Sequence, residues 1–273
     1  MSIELGRIGV WQRGRSLDAD FAKEIERLGY GAVWVGGSPP ADLRSVEELL
    51  DRTSSIAVAT GIVNVWSADA DAVAASYHRI AAKHGDRFLL GVGVGHPENT
   101  DRYARPYHAL VSYLDRLDEG GVPADRRALA ALGPAVLRLA AERSAGAHPY
   151  LTPPEHTRRA REVMGAGALL APEHKAVLES DRERARKVAR SSVAPYLRLR
   201  NYRNNLLRLG YSEDDLADSG SDRIVDDLVA HGDPPAVASA VAGHLDAGAD
   251  HVCVQVLGDD PLAGYGRLAA ELL

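Results

Sequence analysis

At four separate places a glycine that would stop a helix stands just before an apolar run: "RLGYGAVWV", "SAGAHPY", "GAGALLA" and "DAGADHVCV". Glycine ends a helix at little cost because it enters the left-handed region without a steric penalty. A short apolar run directly after it reads as a buried strand. The recurrence of that seam imposes an alternation of helix and strand, which favours a parallel sheet covered by helices.

Strands are expected at residues 3–11, 31–37, 55–66, 87–94, 127–132, 145–151, 167–172 and 251–257. The first helix starts at Ser16 as its N-cap, with Asp18 and Asp20 at the positive end and Leu17, Phe21, Ile25 and Leu28 in one stripe. Further helices are expected at 43–50, 71–84, 107–117, 133–144 and 154–164, and another opens on Asp233-Pro234 and ends at Gly248. Residues 181–229 form a helical excursion of more than one helix, whose "SDRERARKVAR" reads as a solvated face. Eight strands alternating with helices fit a closed (β/α)8 barrel, with an open doubly wound sheet as the competitor. No linker or change of composition divides residues 1–273, which are expected to form one domain.

Bulk composition removes several classes. The single cysteine, Cys253, lies in "HVCVQVL" and reads as a buried, inert thiol, so neither a disulfide framework nor a cysteine-rich metal site is expected. A net charge of −6, with arginines interleaved among acids, argues against nucleic acid as a partner. Neither a signal segment nor a membrane-length apolar run is seen, so a cytosolic protein without a membrane partner is expected. Arginine far outnumbers lysine, as a GC-rich genome would give.

The stretch "RFLLGVGVGHPEN", residues 87–99, tests for a dinucleotide fingerprint. That motif needs G-x-G-x-x-G, each glycine having its own steric duty. Here Gly91, Gly93 and Gly95 alternate, the third position falls on His96 or Glu98, and Pro97 stands where a helix should begin. The fingerprint fails. Alternate glycines on one face instead leave flat backbone, suited to a crowded barrel interior or to a planar ligand. His96, Glu98 and Asn99 follow at the strand end, where barrels place their chemistry.

Other strand ends add candidates: Trp11 and Gln12, Gly36-Gly37-Ser38, and Asn64 as an amide inside a β-branched run. His148-Pro149-Tyr150-Leu151-Thr152, followed by a helix start, reads as an anion site suited to phosphate. His78, His84, His244 and His251 are given packing or surface roles. No P-loop, G-x-S-x-G, H-E-x-x-H or other metal-ligand spacing is present.

With these residues in view, the chain resembles the luciferase-like monooxygenase superfamily, and within it the short members that act as coenzyme F420-dependent oxidoreductases. The resemblance rests on "GYGAVWVGGSP", "ATGIVNVW", "AVAASYHRIAAKHGDRFLLGVGVGHPE", "LAALGP", "AGAHPYLTPPEHT" and "VAHGDPPAVASAVAGHLDAGADHVCVQVL", in that order. It implies a luciferase-like TIM barrel with reduced insertions and a deazaflavin or flavin across the C-terminal strand ends. It also implies a cis peptide at Gly61-Ile62 behind the ring, with Trp11, Gly36, Asn64 and Gly93 or Gly95 near the ring. The phosphate tail would meet Gly133, Tyr150, Leu151 and Thr152. The chain departs from F420-dependent sugar phosphate dehydrogenases, which carry a histidine where "GGSPP" stands and a glutamate where His96 stands.

The expectation is an oxidoreductase that moves a hydride between F420 and an organic substrate whose identity the sequence does not specify, with His96 as the proton-exchanging group. An FMN-dependent monooxygenase or reductase and a non-catalytic F420-binding protein are the alternatives. A homodimer is implied by relatives with this barrel. An unrelated aldolase or metal hydrolase is disfavoured: metal ligands do not cluster, and the lysines, Lys23, Lys83, Lys175 and Lys187, are placed on helices or loops.

Overall fold

The computed structural model describes residues 3–14, 17–96 and 105–273. Its strands are β1 (Ile8–Gln12), β2 (Ala32–Gly36), β3 (Ala57–Gly61), β4 (Val63–Asn64), β5 (Phe88–Gly93), β6 (Arg127–Leu129), β7 (Gly146–Ala147), β8 (Leu169–Leu170), β9 (Glu173–Val177), β10 (Val229–His231) and β11 (Val252–Val256). The helices are α1 (Ala19–Leu28), α2 (Arg44–Arg52), α3 (Ala70–His84), α4 (Pro106–Glu119), α5 (Pro134–Arg143), α6 (Pro154–Met164), α7 (Arg182–Leu197), α8 (Arg200–Leu209), α9 (Asp222–Leu228), α10 (Pro234–Asp246) and α11 (Pro261–Leu272).

All pairings are parallel, and they run from β11 through β1, β2, β3, β5, β6 and β7 to β8. Closure depends on one bent run. β8 pairs with β7 on one side, and β9, only Ala171 and Pro172 later, pairs with β11 on the other. Pro172 has no N–H to give, yet the run is bonded toward both neighbours around it: Cys253 N donates to Pro172 O at 3.0 Å, and Glu173 N donates to Pro149 O at 2.8 Å. With β3 and β4 as one interrupted strand and β8 and β9 as another, the ring has the eight strands of a (β/α)8 barrel. β10 lies outside it, beside β9.

Small residues make room inside the ring for a few large ones. Ala32, Ala57, Ala59, Ala128 and Ala171 pack with Trp34 and Trp11 in one buried cluster. The Trp34 ring stacks on His148, with centroids 4.1 Å apart, and its Nε1 donates to His251 Nε2 at 3.0 Å. A Cβ on Gly9 would come within 2.7 Å of the His251 ring, so only glycine fits there. The interior is a packed core and not a pore. A second apolar layer joins the strands to the outer helices, and a third lies beneath α7, α8 and α9.

Three readings from the sequence are corrected. Ser16 lies outside the described residues, and the first helix is capped by Asp18, whose carboxylate accepts from Phe21 N at 2.8 Å. The strand expected at 167–172 continues as β9 through "EHKAV", whose charged residues concealed its inward alternation. The excursion at 181–229 holds three helices and β10, and its arginines are not simply solvated. Arg186 and Arg190 reach Asp222, and Arg186 also pairs with Asp226, tying α7 to α9.

Candidate active site

A cavity of about 850 Å³ opens over the C-terminal ends of the strands. Trp11, Gly61, Ile62, Asn64, His148 and Tyr150 form its strand-end side, and Tyr196, Tyr202 and Arg208 reach it from α7 and α8. Gly133, just before α5, and Gly95 and His96, just after β5, complete the approach.

The geometry of this floor follows from its glycines. The Gly61–Ile62 peptide is cis, at the position the resemblance implies. A Cβ on Gly91 would sit 1.8 Å from Thr60 O, and one on Gly93 would sit 2.8 Å from Ala130 Cβ and 3.1 Å from Ile62. The flat face of β5 is therefore occupied by Thr60 and Ile62, and it is Ile62, not Gly93, that meets the cavity. The Thr60 hydroxyl fixes the contact, donating to Gly91 O and accepting from Gly91 N, each at 2.8 Å. Asn64 is both a bridge and a lining residue, since its Oδ1 accepts from Trp66 N at 2.9 Å. Gly95, at φ +58°, leaves space for the Asn64 amide, which would lie 2.7 Å from a Cβ there. Gly36 lies behind the Trp11 ring rather than on the cavity: a Cβ would fall 2.2 Å from that ring.

Most of the expected site converges, but the phosphate site does not form as expected. Trp11, Gly61, Ile62, Asn64, Gly95, His96, Gly133 and Tyr150 line the cavity, whereas Leu151 and Thr152 are buried behind it. Leu151 N already donates to Glu173 Oε2 at 3.0 Å, so that amide has no hydrogen bond to spare for a phosphate. His96 lies on the cavity with its ring 5.5 Å from that of Tyr202 and 6.3 Å from that of Tyr196. Glu98 and Asn99 lie outside the described residues.

Beneath Tyr150 is a charged cluster that the sequence reading missed. Lys175 stands on β9 inside the barrel, not on a helix or loop. Its Nζ donates to Tyr150 Oη at 2.6 Å, to Gln255 Oε1 at 2.6 Å and to Glu173 Oε1 at 3.0 Å. Burial pushes the Lys175 ammonium down from its ordinary value, against the pull of Glu173. Tyr196 donates to the Tyr150 hydroxyl at 3.3 Å, and burial pushes both phenols up. The E-x-K alternation in "EHKAV" was the available signal. Tyr196, Tyr202 and Arg208 carried none, because which side of a helical excursion faces the barrel depends on how it folds back.

Among the described residues lining the cavity there is no carboxylate, while Arg13 and Arg208 both reach it. The Arg208 guanidinium lies 3.7 Å from the Cβ position of Gly133, close to the N-terminus of α5. A helix N-terminus and a guanidinium together favour an anion. The described residues contain no cluster of three metal-ligating side chains, and none of their helices is long and apolar enough to cross a membrane.

The chain is thus a closed barrel of parallel strands with its cavity at their C-terminal ends. Residues 17–119 match the model of the luciferase-like monooxygenase family, so the resemblance read from the sequence stands. An F420-dependent secondary alcohol dehydrogenase in complex with an F420–acetone adduct shares the fold at a TM-score of 0.77, with 13% identity and all of both chains covered. The F420-dependent tetrahydromethanopterin reductase of Methanopyrus kandleri matches at 0.72, with 14% identity over 100% of this chain and 99% of that one. The oxygenating constituent of 3,6-diketocamphane monooxygenase from Pseudomonas putida, in complex with FMN, matches at 0.66, with 17% identity over 98% and 96%. No curated protein matches the chain in sequence.

Proposed function

We propose that the chain is an oxidoreductase that moves a hydride between coenzyme F420 and a small organic substrate. The observation that carries this reading is the cavity itself: about 850 Å³ at the strand ends, with two arginines and no carboxylate among its described lining residues. That combination fits a ring cofactor with an anionic tail. Ile62, Val94 and Ala130 offer apolar surface for the ring, while the α5 N-terminus and Arg208 face the tail. Bound there, the deazaflavin supplies the hydride chemistry, and the protein supplies orientation and a proton path. His96 has the role of exchanging a proton at the substrate oxygen through its imidazole.

F420 is placed ahead of FMN on the strength of the two F420-dependent structural neighbours. FMN is the second reading, favoured by the FMN-bound monooxygenase with the same fold. Titration of the purified protein with each cofactor, followed by ligand fluorescence, separates them. Saturable binding of F420 is expected. Binding of FMN alone would make the protein a flavin enzyme, and binding of neither would remove the reading.

A further inference from the structure

Five rings follow one another along one side of the cavity. Trp11, Tyr150, Tyr196, Tyr202 and His96 have successive centroids 5.1, 5.4, 5.1 and 5.5 Å apart, and all five line the cavity. Tyr150 and Tyr196 stand at the front of this wall. Both are half-buried, whereas Trp11 and Tyr202, which back them, are 3% and 5% exposed.

The hydroxyls of the two front rings are bonded inward. Lys175 Nζ donates to Tyr150 Oη, Tyr150 Oη donates to Gln255 Oε1 at 3.0 Å, and Tyr196 Oη donates to Tyr150 Oη at 3.3 Å. The phenols are held by their polar ends, so the surface they offer the cavity is ring carbon. A wall fixed in this way loses little side-chain entropy when a ligand packs on it. Tyr107 adds a ring from another direction. It lines the same cavity from α4 and is 41% exposed. α4 follows β5 and α7 follows β9, three places apart around the barrel, so Tyr107 and Tyr196 approach from different sides.

The cofactor does not account for these rings. Its proposed seat at Ile62, Val94 and Ala130 lies over the ends of β3 to β6, while Tyr150 follows β7 and Tyr196 belongs to α7. A second occupant of the cavity therefore meets aromatic carbon. Edge-to-face and offset contacts make an aromatic ring a better partner for such a wall than a saturated ring of the same skeleton. We propose that the substrate carries a planar aromatic ring, packed on Tyr150 and Tyr196 and flanked by Tyr107. This rests on the reading that the cavity takes a deazaflavin or flavin ring.

The test compares acetophenone with cyclohexyl methyl ketone, which share a skeleton and a carbonyl and differ in the aromaticity of the ring. Dissociation constants are measured by ligand-observed NMR on the F420-saturated protein, after F420 binding has been verified by its fluorescence. The wild-type protein should prefer acetophenone by about fivefold or more. Tyr196→Leu should bring the two within about twofold, and Tyr196→Phe, which keeps the ring without the hydroxyl, should retain the preference. Tyr107→Leu, at an exposed position, should lower the preference as well. Equal affinities in the wild-type protein, or no binding of acetophenone up to its solubility, would overturn the inference without need of a variant. A preference kept by both leucine variants, or lost in Tyr196→Phe, would overturn it too. If F420 itself does not bind, the cavity reading fails first, and the inference with it.

Discussion

Lys175 Nζ lies 3.0 Å from Glu173 Oε1, and neither side chain touches solvent. The pair is two residues apart on β9, so both side chains point into the barrel, directly below Tyr150. A buried ion pair adds little net stability, but breaking one leaves an uncompensated charge, at a cost of about 3–5 kcal/mol. Lys175→Met should therefore lower stability to urea by about 3 kcal/mol. Adding Glu173→Gln should restore at least half of the loss. A single variant costing under about 1 kcal/mol would show that the pair is not held as described.

Acid should destabilise the fold before most carboxylates titrate. Burial holds His148, His174 and His251 each at about 4. An unfolded histidine titrates near 6.5, so between these values the unfolded chain binds more protons and stability rises with pH. The contribution from neutral burial is complete above about pH 6.5 and is lost as pH falls through about 4. The thermal midpoint should fall progressively across that window. A midpoint independent of pH there would contradict the buried, neutral assignment.

Two glycines should respond in opposite ways to alanine. A Cβ on Gly91 would stand 1.8 Å from Thr60 O, a backbone atom that has nowhere to move. Gly91→Ala should fail to fold or lose several kcal/mol, about 3 or more. Gly266, inside α11, has nothing within 4 Å of its Cβ position. Gly266→Ala should stabilise by about 0.5–1 kcal/mol through helix propensity. Equal effects in chemical denaturation would refute the packing assigned to β5.

His96→Ala separates catalysis from binding. Loss of a positioned acid–base group costs about 10²–10⁴-fold in turnover. The variant should lose kcat on that scale while its dissociation constant for F420 changes less than about threefold. An unchanged kcat on a true substrate would make His96 a packing residue of Tyr202.

Arg208→Ala should weaken F420 and FMN by about tenfold, the scale of one charge-assisted contact, and leave riboflavin, which has the FMN ring and ribityl chain without the phosphate, unaffected. Calorimetric titration of each ligand reads this directly. Equal losses for tailed and tail-less ligands would mean that Arg208 shapes the cavity rather than meeting an anion.

The barrel was legible because its signal is local: each glycine stop and apolar run is a few residues long. Gly61-Ile62 and His96 came from the resemblance and from the strand-end rule, and both lie on the cavity. Lys175 is not legible as a strand residue, because a strand carrying two inward charges looks polar and only their mutual pairing along β9 lets it be buried. The exclusion of Leu151 from a phosphate site is not legible in the sequence, because strand-end position does not say whether an amide is already bonded, and Glu173 takes the amide of Leu151.

The most direct test of the central claim is a crystal structure of the protein with F420. The account predicts the ring in the cavity against Ile62, with His96 within hydrogen-bond reach, about 3 Å, of the reacting atoms or of a substrate oxygen beside them. A ring bound outside the cavity, or seated there with His96 turned away and out of reach, would contradict it.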